Sequence, residues 1–335
     1  MRERIGVIGG GSWGTALAKL LADKGYPVSM WVHDPERCHE MLEKKENLSY
    51  LPGIPLPYNL IPSNDLREVV SGKTALLCVV PSHVFRRTMS DVTALIEDTP
   101  LVITASKGVE DDTSKTMHGV LEEVLPSALH SRIAALSGPS FAREVARGMP
   151  TAVTAASKSG KTAAEVQAMF TTSFFRVYTS PDVTGVELGG AVKNVIAIAA
   201  GLSDGLGFGH NSRAALITRG IAEISRLGMR MGADPRTLAG LAGMGDLVLT
   251  CTGDLSRNRT VGIHLGKGEQ LDEILSDMKM VAEGIRNAKS VYELARKLEV
   301  EMPITEQMYL LLHERKSARQ VVVDLMSREL KPEIY

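Results

Sequence analysis

Residues 4–25 read RIGVIGGGSWGTALAKLLADKG. A short apolar strand at Ile5–Ile8 runs into Gly9-Gly10-Gly11-Ser12-Trp13-Gly14 and then into a helical stretch that Gly25 closes. This is a G-x-G-x-x-G turn between a strand and a helix. Gly9 permits the tight turn, Gly11 lets the backbone approach a pyrophosphate, and Gly14 lets the helix pack on the strand. The helix start offers free N–H groups and a positive dipole end to the phosphates. The next strand, at 27–32, ends in His33-Asp34. Asp34 stands about 20 residues past Gly14, where an acid often holds the adenosine ribose. The bland alternative is a glycine-rich turn with no ligand; the surrounding strand, helix and acid favour a dinucleotide site.

The same rhythm continues outward. The region 35–62 reads as a helix followed by a proline-rich loop, LPGIPLPYNLIP. Buried strands are expected at 74–80, 101–106 and 132–137, then at 151–157 and 174–180 around a helix at 161–170. Alternating buried strands and helices imply a parallel, doubly wound sheet with ligands beyond the carboxyl ends of its strands. Lys107, Gly138 and Ser140 fall at those ends, as does the glycine loop. Alone, each reads as a surface lysine or a helix cap; their shared edge favours a site. After Pro181 no strand is expected, and helices are placed at 280–298 and 304–330, broken at Pro303. The reading is an α/β Rossmann-type, dinucleotide-binding domain over 1–180 and an all-α substrate and catalytic domain over 181–335.

Within the second half, 186–200 reads VELGGAVKNVIAIAA, a helix apolar all round and therefore buried. Lys193 lies inside it, and an unpaired ammonium away from water costs several kcal/mol or gives up its proton. Either the side chain snorkels out past small residues, or its tunable pKa serves proton exchange with a substrate. Asp246, an acid among small and apolar residues, is either a helix cap or a partner for that charge. Ser256-Arg257-Asn258-Arg259 precedes a short helix, TVGIHLG, which is an anion site or a solvated basic turn.

Composition bounds the partners. With 335 residues, two domains are the starting expectation. The net charge of -1 gives no reason to expect nucleic acid or an anionic membrane surface. The three cysteines show no CxxC spacing and the eight histidines are scattered, so no metal site is expected, and the thiols suit a reducing compartment. No signal peptide is visible, and the longest apolar run falls short of the roughly 20 residues needed to span a bilayer. A small-molecule enzyme of the cytoplasm is expected. The helical half has enough apolar surface to form a homodimer.

Several motifs together carry a resemblance. VIGGGSWGTALA at 7–18, SKG at 106–108, GPSFAREVA at 138–146, ELGGAVKNVIAIAAG at 187–201, GDLVLTC at 245–251 and SRNR at 256–259 resemble the bacterial NAD(P)-dependent glycerol-3-phosphate dehydrogenases, in order and over nearly the whole chain. The resemblance implies interconversion of sn-glycerol 3-phosphate and dihydroxyacetone phosphate, supplying glycerophospholipid synthesis. It implies that Lys193 is the proton-exchanging lysine and that Lys107 contacts both substrate and cofactor. Gly138, Ser140, Asp246, Ser256, Arg257 and Asn258 match substrate positions. Ser12, Trp13, His33, Ala142, Arg257, Val281 and Glu283 match nucleotide contacts, beside the loop glycines. Many members carry arginine where His33 stands, which leaves NAD and NADP both open as the cofactor. Two rivals remain: a related dehydrogenase of a different hydroxy acid or sugar acid, and a dinucleotide sensor without catalysis. A phosphate-sized helix-end site argues against the first, and a buried lysine against the second.

Overall fold

The computed structural model describes residues 3–278, 282–330 and 332–333. The first half alternates as expected: β1 (Ile5–Ile8), α1 (Ser12–Asp23), β2 (Val28–Trp31), α2 (Pro35–Lys44), β3 (Leu60–Ser63), α3 (Leu66–Val70), β4 (Ala75–Cys78), α4 (Ser82–Thr93), β5 (Leu101–Thr104), α5 (Met117–Val124), β6 (Ile133–Ser137), α6 (Ala142–Ala146), β7 (Thr151–Ala156), α7 (Gly160–Phe170) and β8 (Phe175–Ser180). These strands form one eight-stranded sheet in the order β3-β2-β1-β4-β5-β6-β7-β8. The chain leaves β1 toward β2 on one side and later returns to β4 on the other, so the winding direction reverses between β1 and β4. That reversal opens the crevice where ligands bind in such sheets.

Successive side chains of the inner strands bury on opposite faces. Ala75 and Leu77 join the layer under α1, while Leu76 and Cys78 join Phe85 and Met89 of α4. Both faces are thus covered, as a parallel sheet requires.

Two details depart from the sequence reading. β3 lies inside the stretch read as a loop; it is an edge strand, pairing only with β2, and an edge tolerates its Pro62. The sheet is also not wholly parallel, because β7 runs antiparallel to β6 and carries β8 with it. The reason is α6. At about 1.5 Å per residue its five residues are too short to carry the chain back across a strand of about 3.3 Å per residue, so β7 starts at the edge where β6 ended.

From residue 183 on the described elements are helices: α8 (Val183–Gly205), α9 (His210–Arg230), α10 (Pro235–Leu238), a π-helical turn at Leu241–Gly245, α11 (Asp246–Thr252), α12 (Arg257–Gly266), α13 (Leu271–Asp277), α14 (Glu283–Lys297), α15 (Pro303–His313) and α16 (Ala318–Met326). The helix expected over 304–330 is two helices. Arg315 takes a left-handed φ of 54°, which ends α15, and Ser317 then caps α16 through Gln320 N. Pro303 starts α15 rather than interrupting it, since its missing N–H lies in the first turn.

α8 is the axis of this half. By length and composition its 23 residues could cross a membrane, contrary to the short apolar run read from the sequence, but 94% of its most apolar window is buried inside the protein. Its neighbours include α9, α11, α12 and α14. The closest approach is to α12. A Cβ on Gly201 would stand 2.0 Å from Arg259 O, and one on Gly262 2.1 Å from Ile198 O; Gly205 and Gly266 repeat the pattern one turn later. Real Cβ atoms essentially never come so close, so only glycine lets the two backbones touch.

Candidate active site

The α8–α12 crossing carries the first turn of α12 to the face of α8 that holds Lys193 and Asn194. Lys193 is buried, with 9% of its side chain exposed. Its ammonium is ion-paired to Asp246 Oδ1 and donates to Thr250 Oγ1 at 3.0 Å. Asp246 opens α11, and Thr250 lies one turn further on the same face. Lys107, in the turn after β5, reaches the same carboxylate from the sheet side, its Nζ 2.6 Å from Asp246 Oδ2. Two amines therefore share one buried carboxylate, with 1% of its side chain exposed. Of the two readings open at Lys193, snorkelling is excluded: the amine ends on a buried carboxylate and a hydroxyl. Asp246 is not a cap: Gly245 holds the N-cap position of α11.

Burial pushes the Lys193 amine down to about 8; Asp246 opposes that shift and Lys107 adds to it. An ammonium carries three N–H groups. Among the described residues Asp246 and Thr250 accept two of them, which leaves one for a ligand.

Glycines make this convergence possible. On α8, a Cβ at Gly190 would meet Ser137 Oγ at 2.8 Å and the Lys107 stem at 3.4 Å, so Lys107 passes the helix over a glycine. A Cβ at Gly189 would lie 2.4 Å from Ala242 O, so the π-helical turn that delivers Asp246 packs directly on α8. Such turns recur at functional sites. Gly138 has φ +144° and sits at the end of β6, with its carbonyl 3.5 Å from Lys107 Nζ and accepting from Ser140 Oγ at 3.0 Å.

The SRNR stretch divides into roles. Ser256 caps α12 by accepting from Arg259 N. Asn258 is buried and braces three helices, donating to Asn194 Oδ1 at 3.0 Å and accepting from Gly284 N at 2.9 Å. Arg259 pairs with Asp204 at the end of α8 and with Asp254. Arg257 is exposed at the helix start. Glu283, first in α14 and half-buried, has its carboxyl pushed up by burial, while Arg257, Lys107 and Lys193 draw it down. Val281 lies outside the described residues.

Around the glycine loop, Gly9 has φ +124°, and a Cβ there would meet Val79 O at 2.4 Å. A Cβ on Gly14 would meet Gly9 O at 2.0 Å. At Gly11 a Cβ would meet nothing within 4 Å. Among the described residues no side chain at the N-cap position of α1 makes a capping bond. An open cradle at a helix start fits a diphosphate. Trp13 and Ala142 pack in one small cluster beside it, with Ala16, Leu51 and Ile54. His33 is exposed, its ring edge-on to Trp31 at 5.3 Å. Asp34, read as a ribose acid, caps α2: its Oδ1 accepts from Glu36 N and Arg37 N, and its Oδ2 pairs with Arg37.

Sequence reasoning missed Thr250, although its four-residue spacing from Asp246 puts both on one face of a helix. It also missed Asn194, whose carbonyl oxygen receives Asn258.

The chain matches, over residues 4–163, the N-terminal model of NAD-dependent glycerol-3-phosphate dehydrogenase and, over 182–323, its C-terminal model. A glycerol-3-phosphate dehydrogenase, NAD(P)+, of Citrifermentans bemidjiense is 59% identical, covering 99% of each chain. One from Geobacter sulfurreducens is 58% identical over the same shares. A crystal structure of glycerol-3-phosphate dehydrogenase from Coxiella burnetii superposes with a TM-score of 0.93 at 41% identity, covering 98% of this chain and 99% of that one.

Proposed function

Because this chain belongs to the NAD-dependent glycerol-3-phosphate dehydrogenase family, we propose that Lys193 moves the proton in the family's reaction while Arg257 grips the substrate phosphate. The enzyme interconverts sn-glycerol 3-phosphate and dihydroxyacetone phosphate with NAD or NADP, supplying glycerol 3-phosphate for glycerophospholipid synthesis. The observation that carries the assignment is the pairing of buried Lys193 with Asp246 beside the strand ends.

The bound nicotinamide coenzyme supplies the hydride chemistry. In ketone reduction, charge gathers on the carbonyl oxygen, and Lys193 stabilises it and donates its proton there. In alcohol oxidation the neutral Lys193 amine takes the hydroxyl proton. Asp246 holds Lys193 and Lys107 in place, and Thr250 fixes the amine's orientation through its 3.0 Å bond. Lys107, with Gly138 and Ser140, lines the sheet side of the substrate. Arg257 meets the phosphate at the start of α12, where the N–H groups of the helix add to its charge. Ser256 and Asn258 support that turn through their own bonds. Gly9, Gly11, Ser12, Trp13, Gly14, His33, Ala142 and Glu283 line the coenzyme side.

The finer organisation belongs to the same reading. The division between domains falls at 180/181, supported by the last strand ending at Ser180 and α8 starting at Val183. The unpaired, buried Cys38, Cys78 and Cys251 support a reducing, cytoplasmic setting. Exposed Phe208, Met229, Val323 and Met326 support pairing of the helical half with a second copy, which light scattering tests. The central test follows NADH and NADPH absorbance on addition of dihydroxyacetone phosphate, then of non-phosphorylated ketones. Loss of absorbance with the phosphorylated ketone is expected; its absence with both coenzymes overturns the reading.

A further inference from the structure

Lys107 opens a turn that laces the two halves of the protein together. Gly108 follows it with a φ of +151°, and a Cβ there would stand 2.6 Å from Ser82 Cβ, so glycine alone suits this reversal. The residues after it attach to opposite halves in alternation. Val109 is 1% exposed and buried in the helical core with Ala191, Val192 and Val195 of α8 and Ala288 and Val291 of α14. Every other described member of that core lies at or beyond Leu188. Glu110 turns back to the sheet half, where its two carboxylate oxygens accept from Arg86 of α4 at 2.9 and 2.8 Å. Asp111 faces the helical half again and accepts from Ser290 Oγ of α14 at 2.8 Å.

The seat of Val109 is fixed relative to Lys193. Asn287 of α14 donates from Nδ2 to Ala191 O at 3.0 Å, two residues before Lys193 on α8. The turn also closes on itself: Glu110 N donates to Lys115 O and Ser114 N to Glu110 O, both at 2.9 Å. At its far end the Lys107 amine meets Asp246 at 2.6 Å and Gly138 O at 3.5 Å. A lysine stem is a flexible four-carbon chain, so where its amine stands depends on where its backbone is pinned. An apolar side chain in a close-packed core is a stiff pin, because its surroundings leave no room for it to shift.

We infer that Val109 is a positioning residue for Lys107: its seat in the helical core, with the Asp111–Ser290 bond beside it, sets where the Lys107 amine stands against Asp246 and Lys193. This rests on the reading of Lys107 as a site residue and names the group that holds it there. Lys107 also acts on Lys193 as a like charge, and so helps to hold the Lys193 amine below the ordinary 10.5. A Lys107 amine displaced from its place lets Lys193 titrate at a higher pH.

The test is a double-mutant cycle on the reduction of dihydroxyacetone phosphate, measured across pH. The native protein, Val109→Ala, Lys107→Met and the double variant are compared, with circular dichroism and coenzyme titration to check that each is folded. Lys107→Met is expected to lower kcat/KM and to move its alkaline fall to higher pH. Val109→Ala is expected to move that fall part of the way, and to lower kcat/KM about ten- to hundredfold, the scale of a misplaced site group. On the Lys107→Met background Val109→Ala is expected to add nothing. Effects that add in the double variant overturn the inference, as does a Val109→Ala protein with native rate and native pH profile. If Val109→Ala fails to fold, Ser290→Ala takes its place in the cycle with an expected loss of about two- to tenfold, and the same two outcomes overturn the inference. A Lys107→Met protein with native turnover sinks the site reading and this inference together. An impaired Lys107→Met with an additive Val109→Ala sinks this inference alone.

Discussion

Lys193 on α8 and Asp246 on α11 form an ion pair whose acid is almost wholly closed to solvent. Removing one partner of such a pair leaves the other charge uncompensated and usually costs several kcal/mol. Here the carboxylate has a second cation, Lys107 at 2.6 Å, so the site can lose Lys193 and keep Asp246 paired.

That asymmetry makes Lys193→Met a clean test. The variant is expected to fold and to bind coenzyme, because Asp246 retains Lys107 and methionine fills a similar volume. Turnover is expected to fall by about 10²–10⁴, the usual worth of a positioned proton donor. Steady-state rates, coenzyme titration and a thermal melt check all three. Near-native turnover would remove Lys193 from the mechanism.

The depressed Lys193 value sets a pH dependence. With the amine titrating near 8, ketone reduction is expected to hold a plateau in kcat/KM on the acid side and to fall above about 8. Alcohol oxidation should do the reverse, rising through the same value. The linkage to folding has a defined sign. The folded-state value lies below the ordinary 10.5, so the native protein binds fewer protons than the unfolded chain between about 8 and 10.5. The contribution of Lys193 to stability therefore increases with pH across that window. Paired pH profiles in the two directions, native against Lys193→Met, check the catalytic limb.

Arg257→Ala tests the proposed phosphate grip, a charge-assisted contact worth roughly 1.5–3 kcal/mol. KM for dihydroxyacetone phosphate is expected to rise about ten- to hundredfold, with a smaller change in KM for a non-phosphorylated ketone. An unchanged KM for the phosphate ester would place phosphate recognition elsewhere.

Gly201→Ala puts a methyl group 2.0 Å from Arg259 O, a backbone atom that cannot step aside without moving α12. A destabilisation of about 1–3 kcal/mol is expected, the range for overpacking. Affinity for the phosphorylated substrate should fall with it, because Arg257 rides on the displaced helix. Urea unfolding and KM measured on one preparation test whether the two effects travel together.

Much of this architecture was legible in the chain. The glycine loop and the apolar runs around it predicted the sheet, and an all-round apolar pattern predicted a buried helix about Lys193, with the side chain's own direction left open. What escaped the reading depended on distant residues. β3 was masked by prolines that only an edge position tolerates. The antiparallel turn into β7 depends on how short α6 is, a boundary that apolar periodicity does not set. Arg315 ends a helix through a left-handed φ that its sequence does not announce. At the site, Lys193, Lys107 and Asp246 were named separately, but their convergence on one carboxylate required the fold. At Asp34 the spacing that suits a ribose acid equally suits an N-cap, and the cap is what the fold displays.

The crossing of α8 and α12 sets how far Arg257 stands from Lys193. Main chain rests on main chain at Gly201, Gly205, Gly262 and Gly266, so the span from Lys193 to Arg257 is a ruler cut in the polypeptide itself. Redesign for a longer polyol phosphate could not proceed by shaving side chains along this contact, since none remain there to shave. It would have to lengthen or re-aim a helix.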